Sequence, residues 1–393
     1  MSLRSVLVVG ASLSGLRAAE ALRTEGFDGE LTMLGAEQQM PYDRPPLSKE
    51  VLAGSMGPDD VALRVPDDLG AEWVLGDRAT GLDLQRRVVR SASGRELHFD
   101  GLIIATGSAP RRLGGLEPGS RDGIVELRTL EDAVAIRAAL ARRPRVVLVG
   151  CGFIGVEVAS SARSLGCEVD VVSLDPPLMV AGNLFSDVCS ELLLDHGVRL
   201  HLGRYLTDVE GAGRVEAVVL DDGARLDAEL VVVAVGAHPV TDWLEGSGVT
   251  LEDGVACDAS CSAVGAERVV ACGDVARWPN PLFGAVPMRI EHWTNAAEQA
   301  GAAARTLLHG PGTQTAFSSV PSFWSDHFGT RMQSVGLPML GDRVEVVDGS
   351  VAERKFVAAA YRGDELVGAT AYGNVRGLLP YRVKLSQRDP VTT

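Results

Sequence analysis

Ser5-Val-Leu-Val-Val-Gly10-Ala-Ser-Leu-Ser-Gly15 and Arg145-Val-Val-Leu-Val-Gly150-Cys-Gly-Phe-Ile-Gly155 superimpose when the chain is slid against itself by 140 residues. Each begins with an apolar, valine-rich run, turns on a glycine and continues into an alanine-containing stretch of helical spacing. A buried strand, a tight glycine turn and a helix open a βαβ dinucleotide-binding unit, because a pyrophosphate can rest on the unpaired N–H groups at the helix N-terminus. Two such openings imply two dinucleotides, or one dinucleotide and a decayed copy. The first copy offers Gly10, Ala11, Ser12 and Gly15, with Ser12 standing where a close-approach glycine is usual. The second is complete and offers Gly150, Gly152, Phe153, Ile154 and Gly155, with Glu157 two residues on.

A unit of this kind needs an acid near the end of its second strand for the adenine-side ribose. Leu31-Thr-Met-Leu-Gly35 ends beside Glu37, whereas Glu168-Val-Asp-Val-Val172 ends at Ser173 with Asp175 two residues beyond. No arginine lies between Arg163 and Arg199, so a 2′-phosphate finds no clamp there and NAD is favoured over NADP. Further strands run into turns at Ala105-Thr106-Gly107, at Gly236 and at Gly273-Asp274. The last comes so late in the chain that the second nucleotide unit reads as an insertion in the first. The expected division is 1–109 with 237–317 for the first unit, 110–236 for the second, and a small α+β unit over 318–393. In that last unit, Lys355–Tyr361 and Leu366–Tyr372 flank Arg-Gly-Asp-Glu and read as a hairpin. The fold class is therefore α/β, with two Rossmann-like units and a C-terminal α+β domain.

At roughly 150 residues per domain, 393 residues agree with two to three domains. A hydrophobic content of 46% with 23% charged residues describes a globular chain able to bury a large core. A net charge of −15 without any dense basic block argues against nucleic acid or an anionic membrane as partner. The longest apolar run, Leu230 to Ala237, falls far short of the ~20 residues of a membrane span. Six scattered cysteines lack the pairing of a disulfide framework or zinc site, the seven histidines lack metal-ligand spacing, and a reducing cytoplasm is expected.

With these residues in view, the chain resembles the FAD-dependent NADH:ferredoxin reductases of the putidaredoxin-reductase type, which serve oxygenases and cytochromes P450 and share the glutathione-reductase-like flavoprotein fold. The resemblance spans essentially the whole chain. Pro41-Tyr-Asp-Arg-Pro-Pro-Leu-Ser-Lys49 and Phe323-Trp-Ser-Asp326 are its specific strings, joined by Ala105-Thr-Gly107, Arg128-Thr-Leu-Glu-Asp132, Val235-Gly236 with Pro239, Gly273-Asp274 and Ala297-Glu-Gln-Ala300. It implies that the first unit binds FAD and the second NAD. Ala11 and Gly15 would line the FAD pyrophosphate turn, Glu37 the ribose and Ala79 the adenine. Arg128 would approach the pyrophosphate, Asp274 the ribityl chain, Lys49 the flavin and Trp293 its edge. Arg44, Pro45, Glu291 and His292 complete the implied FAD contacts, and Asp175 and Gly236 those to NAD. The chain departs from the pattern at Ala36 and at Ser173, where relatives commonly carry acids.

The implied catalytic pair is Lys49 with Glu157: a lysine charge near the flavin favours its anionic reduced ring, and the glutamate holds the lysine charged and oriented. Disulfide-reducing relatives keep cysteines on the helix facing the flavin, and this chain has no cysteine before Cys151. Electrons are therefore expected to pass singly to a ferredoxin. Arg376, Arg382, Lys384 and Arg388 gather positive charge near the C-terminus and would steer an acidic partner. Trp324 reads as packing rather than an electron relay. An NADH oxidase or diffusible-acceptor reductase, and a flavin-binding redox sensor, are the competing readings. The expected state is a monomer or homodimer, without metal.

Overall fold

A computed structural model of the chain describes residues 3–313 and 316–389. Residues 1, 2, 314, 315 and 390–393, which fall within the expected first and C-terminal units, lie outside the described residues.

Strands covered on both faces carry apolar residues continuously rather than alternately. Val6–Val9, Gly101–Ile104, Val146–Val149 and Leu230–Val233 are of this kind and are buried at every position. They form the centres of two five-stranded parallel sheets. The first runs Val269–Ala271, Gly101–Ile104, Ser5–Val9, Glu30–Leu34, Glu72–Val74. The second runs Arg199–Leu202, Glu168–Ser173, Arg145–Val149, Leu230–Val233, Ile124–Glu126. Val270 pairs with Ile103, so the first sheet is completed by a strand that arrives after the whole of the second. Where the chain leaves one sheet and returns from the other, Ser108–Pro110 and Ala237–Pro239 pair antiparallel.

The two glycine turns have the same construction for the same steric reason. Gly10 and Gly150 sit at φ +115° and +97°, and a Cβ on either would stand 2.0 Å from the Ala105 carbonyl or 2.4 Å from the Ala234 carbonyl. The glycine-turn backbone thus lies directly on the neighbouring strand end, which places Ala105-Thr106-Gly107 beside the first turn.

The C-terminal sheet is antiparallel, in the order Ser322–His327, Thr330–Gly336, Glu365–Tyr372, Lys355–Arg362, Arg343–Ser350. Its central hairpin closes through Gly363 at φ +59°. Phe356, Ala358 and Tyr372 join the core built on the second sheet, while Val357, Ala359, Ala369 and Ala371 join the core of the first. Successive residues of one strand therefore serve different cores, and each large apolar side chain contributes about 1.5–3 kcal/mol by leaving water.

Candidate functional site

The Leu13–Thr24 and Phe153–Ser164 helices begin at the two glycine turns with extended N-caps, Ser12 and Gly152, neither making a side-chain cap hydrogen bond. Neither helix has an acid in its first turn. Both N-termini therefore present uncapped, uncompensated N–H groups, the donor set that a pyrophosphate requires.

Around the first turn, the Pro41–Lys49 segment builds a polar lattice. Arg44 ion-pairs with Glu37 and donates to the Tyr42 hydroxyl (2.8 Å) and the Arg128 carbonyl (2.7 Å). Tyr42 in turn donates to Glu37, and burial with that carboxylate pushes its phenol up. Both oxygens of Glu37 are thus engaged. Asp274 accepts from Ser108 Oγ at 3.0 Å and faces Arg128 Nη2 at 3.7 Å. It is aimed by Gly273, whose N–H bonds Gln299 (2.9 Å) and whose φ of +76° brings the turn against Ser14. Beside it the His292 Nδ1 atom is buried with no partner among the described residues, and burial depresses this imidazole to about 4. An orphaned ring nitrogen, a hydroxyl-accepting carboxylate and an arginine fit the ribityl and phosphate part of a flavin dinucleotide. Trp293 donates from Nε1 to Asp43 (2.6 Å) and meets Trp324 edge-on with ring centres 6.4 Å apart. Asp43, which the sequence left without a role, is pushed up by burial and held down by Trp293 and Lys49. Ala79 starts the Ala79–Asp83 strand, Pro45 starts the Pro45–Ser48 turn, and Glu291 is an exposed partner of Arg289.

The centre of the arrangement lies where the first and second units and the C-terminal sheet meet. Lys49 Nζ donates to Glu157 Oε1 over 3.0 Å, with side chains 12% and 5% exposed. A buried ion pair persists only when further hydrogen bonds compensate its lost hydration. Ser48, Ser325 and the Asp326 N–H also donate to Glu157, giving its carboxylate four donors. Ser161, one helical turn from Glu157 on the same face, donates to the Ser48 carbonyl at 2.7 Å.

On the second unit, Phe153 packs edge-to-face on Phe323 at 4.9 Å and Ile154 is exposed. Gly236, at φ +97°, accepts from the Arg111 N–H (2.9 Å), and Asp175 is exposed beyond the strand ending at Ser173. Sequence spacing missed Arg204: its N–H reaches the Ser173 carbonyl at 3.3 Å, so it stands at that strand end after all. Its guanidinium pairs with Asp221 and Asp222, each at 3.2 Å. All six cysteines are free and buried, and burial pushes Cys151 and Cys272 up to about 12, the condition of inert thiols.

The pyridine nucleotide-disulphide oxidoreductase family matches residues 4–300, most of the chain. The chain belongs to that family. A second family, the reductase C-terminal domain, matches residues 322–393. The ferredoxin–NAD(+) reductase component of the anthranilate 1,2-dioxygenase system of Burkholderia cepacia is 35% identical over 95% of this chain and 92% of its own. Putidaredoxin reductase of Pseudomonas putida is 32% identical over 92% and 87%. Among solved structures, a ferredoxin reductase from Rhodopseudomonas palustris superposes with a TM-score of 0.90 at 32% identity, covering 98% of this chain and 96% of that one. All six cysteines lie at or after Cys151 and none is paired with another. Among the described residues no helix is long and apolar enough to cross a membrane, and no cluster of His, Cys, Asp or Glu has the form of a metal site.

Proposed function

We propose that the chain is an NADH-dependent flavoprotein reductase that passes single electrons to a ferredoxin feeding an oxygenase or cytochrome P450, in the cytoplasm. We assign FAD to residues 1–109 and 237–317, NADH to 110–236, and part of the docking surface to 318–393. Bound FAD supplies the conversion of a two-electron hydride into two one-electron transfers.

The protein's own groups do the rest. The uncapped helix at Ser12, with Arg128, would offset phosphate charge. Asp274 would accept from ribityl hydroxyls, and Lys49 would place its positive charge beside the flavin ring. Glu157 keeps that charge in place from the helix that also starts the nucleotide cradle. The observation that carries the reading is this buried Lys49–Glu157 pair, which ties the two dinucleotide units together at 3.0 Å.

Stopped-flow mixing with NADH and an acidic ferredoxin tests it. Rapid flavin bleaching followed by ferredoxin reduction is expected. Bleaching with turnover only to oxygen or quinones would favour a diffusible-acceptor reductase, and slow bleaching a sensor.

A further inference from the structure

We propose that Ser325 and His327, on the C-terminal Ser322–His327 strand, are positioning residues that hold the Lys49–Glu157 pair in register. The inference rests on the placement of Lys49 at the flavin. It follows from counting protons along one chain of contacts. Ser325 Oγ lies 2.5 Å from Glu157 Oε1 and 2.8 Å from His327 Nε2. Lys49, Ser48 and the Asp326 N–H can only, or do, donate to the same carboxylate, which is therefore an acceptor throughout. The single Ser325 proton goes to Glu157, and the hydroxyl oxygen must accept from His327. That fixes the imidazole as the Nε2–H tautomer.

The surroundings agree with this direction. His327 is fully buried, and burial depresses it to about 4, so the ring is neutral and carries one proton. Its Nδ1 has no partner among the described residues, as a bare lone pair would if the proton sits on Nε2. The Tyr372 ring, 6.3 Å away, limits the ring's freedom to turn. The next residue, Phe328, donates its N–H to Ser160 Oγ at 2.8 Å. The Phe153–Ser164 helix is thus gripped from one side by Ser48 and Lys49 and from the other by Ser325, Asp326 and Phe328. Without the second grip, Glu157 keeps its charge but loses a fixed rotamer, and Lys49 loses its aim.

The test compares Ser325→Ala and His327→Leu with Ser325→Thr, which keeps the hydroxyl, and His327→Gln, whose amide nitrogen reaches the Nε2 position. Lys49→Met is the reference. Spectroelectrochemistry gives the midpoint potential of bound FAD, stopped flow the flavin reduction rate at saturating NADH, and titration the NADH Kd. Ser325→Ala and His327→Leu should slow flavin reduction about tenfold with Kd changed less than about twofold. Both should move the potential in the negative direction, as Lys49→Met does. Thr and Gln should restore the rate to within about twofold of the parent and return the potential to the parent value. If His327→Leu does not fold, His327→Asn replaces it, because its amide reaches the Nδ1 position and should fail like Leu. Wild-type potential and rate in Ser325→Ala, beside an altered Lys49→Met, would overturn the proposal alone, as would a Gln variant no better than Leu. An unaltered Lys49→Met would instead remove Lys49 from the flavin and the positioning role with it.

Discussion

Lys49 and Glu157, 108 residues apart in the chain, meet at 3.0 Å in a space from which water is nearly excluded. Removing one partner of such a pair leaves the other charge buried and uncompensated, a cost of about 3–5 kcal/mol. Each charge therefore depends on the other for its place in the fold, and the charge on Lys49 gains most as a neighbouring group becomes anionic.

Lys49→Met should accordingly slow hydride transfer by at least tenfold while changing NADH Kd little, since an interaction made mainly in the transition state appears in kcat. It should also lower Tm, because Glu157 is left with three donors and no countercharge. Single-turnover reduction and calorimetry on one preparation check both. An unchanged reduction rate would return Lys49 to a structural role.

Asp274→Ala should weaken FAD retention by about 0.5–1.5 kcal/mol per lost hydroxyl contact, a several-fold rise in Kd. The loss also frees Ser108 and removes the acid facing Arg128. Flavin release during dialysis reads the effect directly, and full retention would take Asp274 out of the site.

Much of this site was legible because local chemistry marks it. Strand, glycine turn and helix must be contiguous, so Gly10, Gly15, Gly150 and Gly155 are visible in the sequence. Their sterics in the structure are those the turn demands, with a Cβ on Gly15 only 1.9 Å from the Gly10 carbonyl. Ser325, His327, Asp43 and Arg204 were not legible. Ser325, Asp43 and Arg204 meet Glu157, Trp293 and Ser173, each more than 30 residues away, and His327 acts through Ser325, on elements whose positions depend on how separate sheets pack. A serine in a strand carries no signal of the glutamate it will meet. Arg388 illustrates the reverse case: it reads as part of a basic tail, yet its side chain is only 13% exposed, pairs with Glu365 and lies over Phe283 at 5.0 Å.

NADH should be preferred to NADPH in kcat/KM. Arg204, bonded to the strand end at Ser173, is committed to Asp221 and Asp222, and the exposed Asp175 would repel a 2′-phosphate. Exposed pairs are worth under about 1 kcal/mol each, so Asp221→Asn with Asp222→Asn should narrow the preference by up to about fivefold. A preference that does not move places Arg204 out of reach of the nucleotide.

Stability should fall below neutral pH through His327 and His292, each depressed from 6.5 to about 4 by burial. Between those values the folded state binds fewer protons than the unfolded one, so the contribution is complete above about 6.5 and is lost as pH falls toward 4. For one fully buried imidazole the loss at pH 5 is on the order of 1–2 kcal/mol. His327→Gln keeps the hydrogen bond to Ser325 but does not titrate, so its Tm should decline less between pH 7 and 5 than that of the parent. Parallel Tm curves would show that His327 protonation is not linked to unfolding.

Ferredoxin docking should depend on Arg376, Arg382 and Lys384. All three are exposed and form no ion pair among the described residues, on or beside the Leu379–Ser386 helix. A protein of net charge −15 repels an acidic partner at long range, so approach requires a local reversal of the field. Exposed charges of this kind act on encounter rate, and the effect is screened beyond about 8 Å at physiological ionic strength. The triple charge reversal should therefore slow ferredoxin reduction about tenfold or more at low salt, and the gap should close as salt rises. Reduction of a small neutral acceptor should be unaffected, since it needs no steering. Arg388→Ala supplies the contrast: its guanidinium is already spent on Glu365 and Phe283, so it should lower Tm while leaving the salt dependence of ferredoxin reduction in place. If the triple variant reduces ferredoxin at the parent rate at every salt concentration, the partner docks on another face.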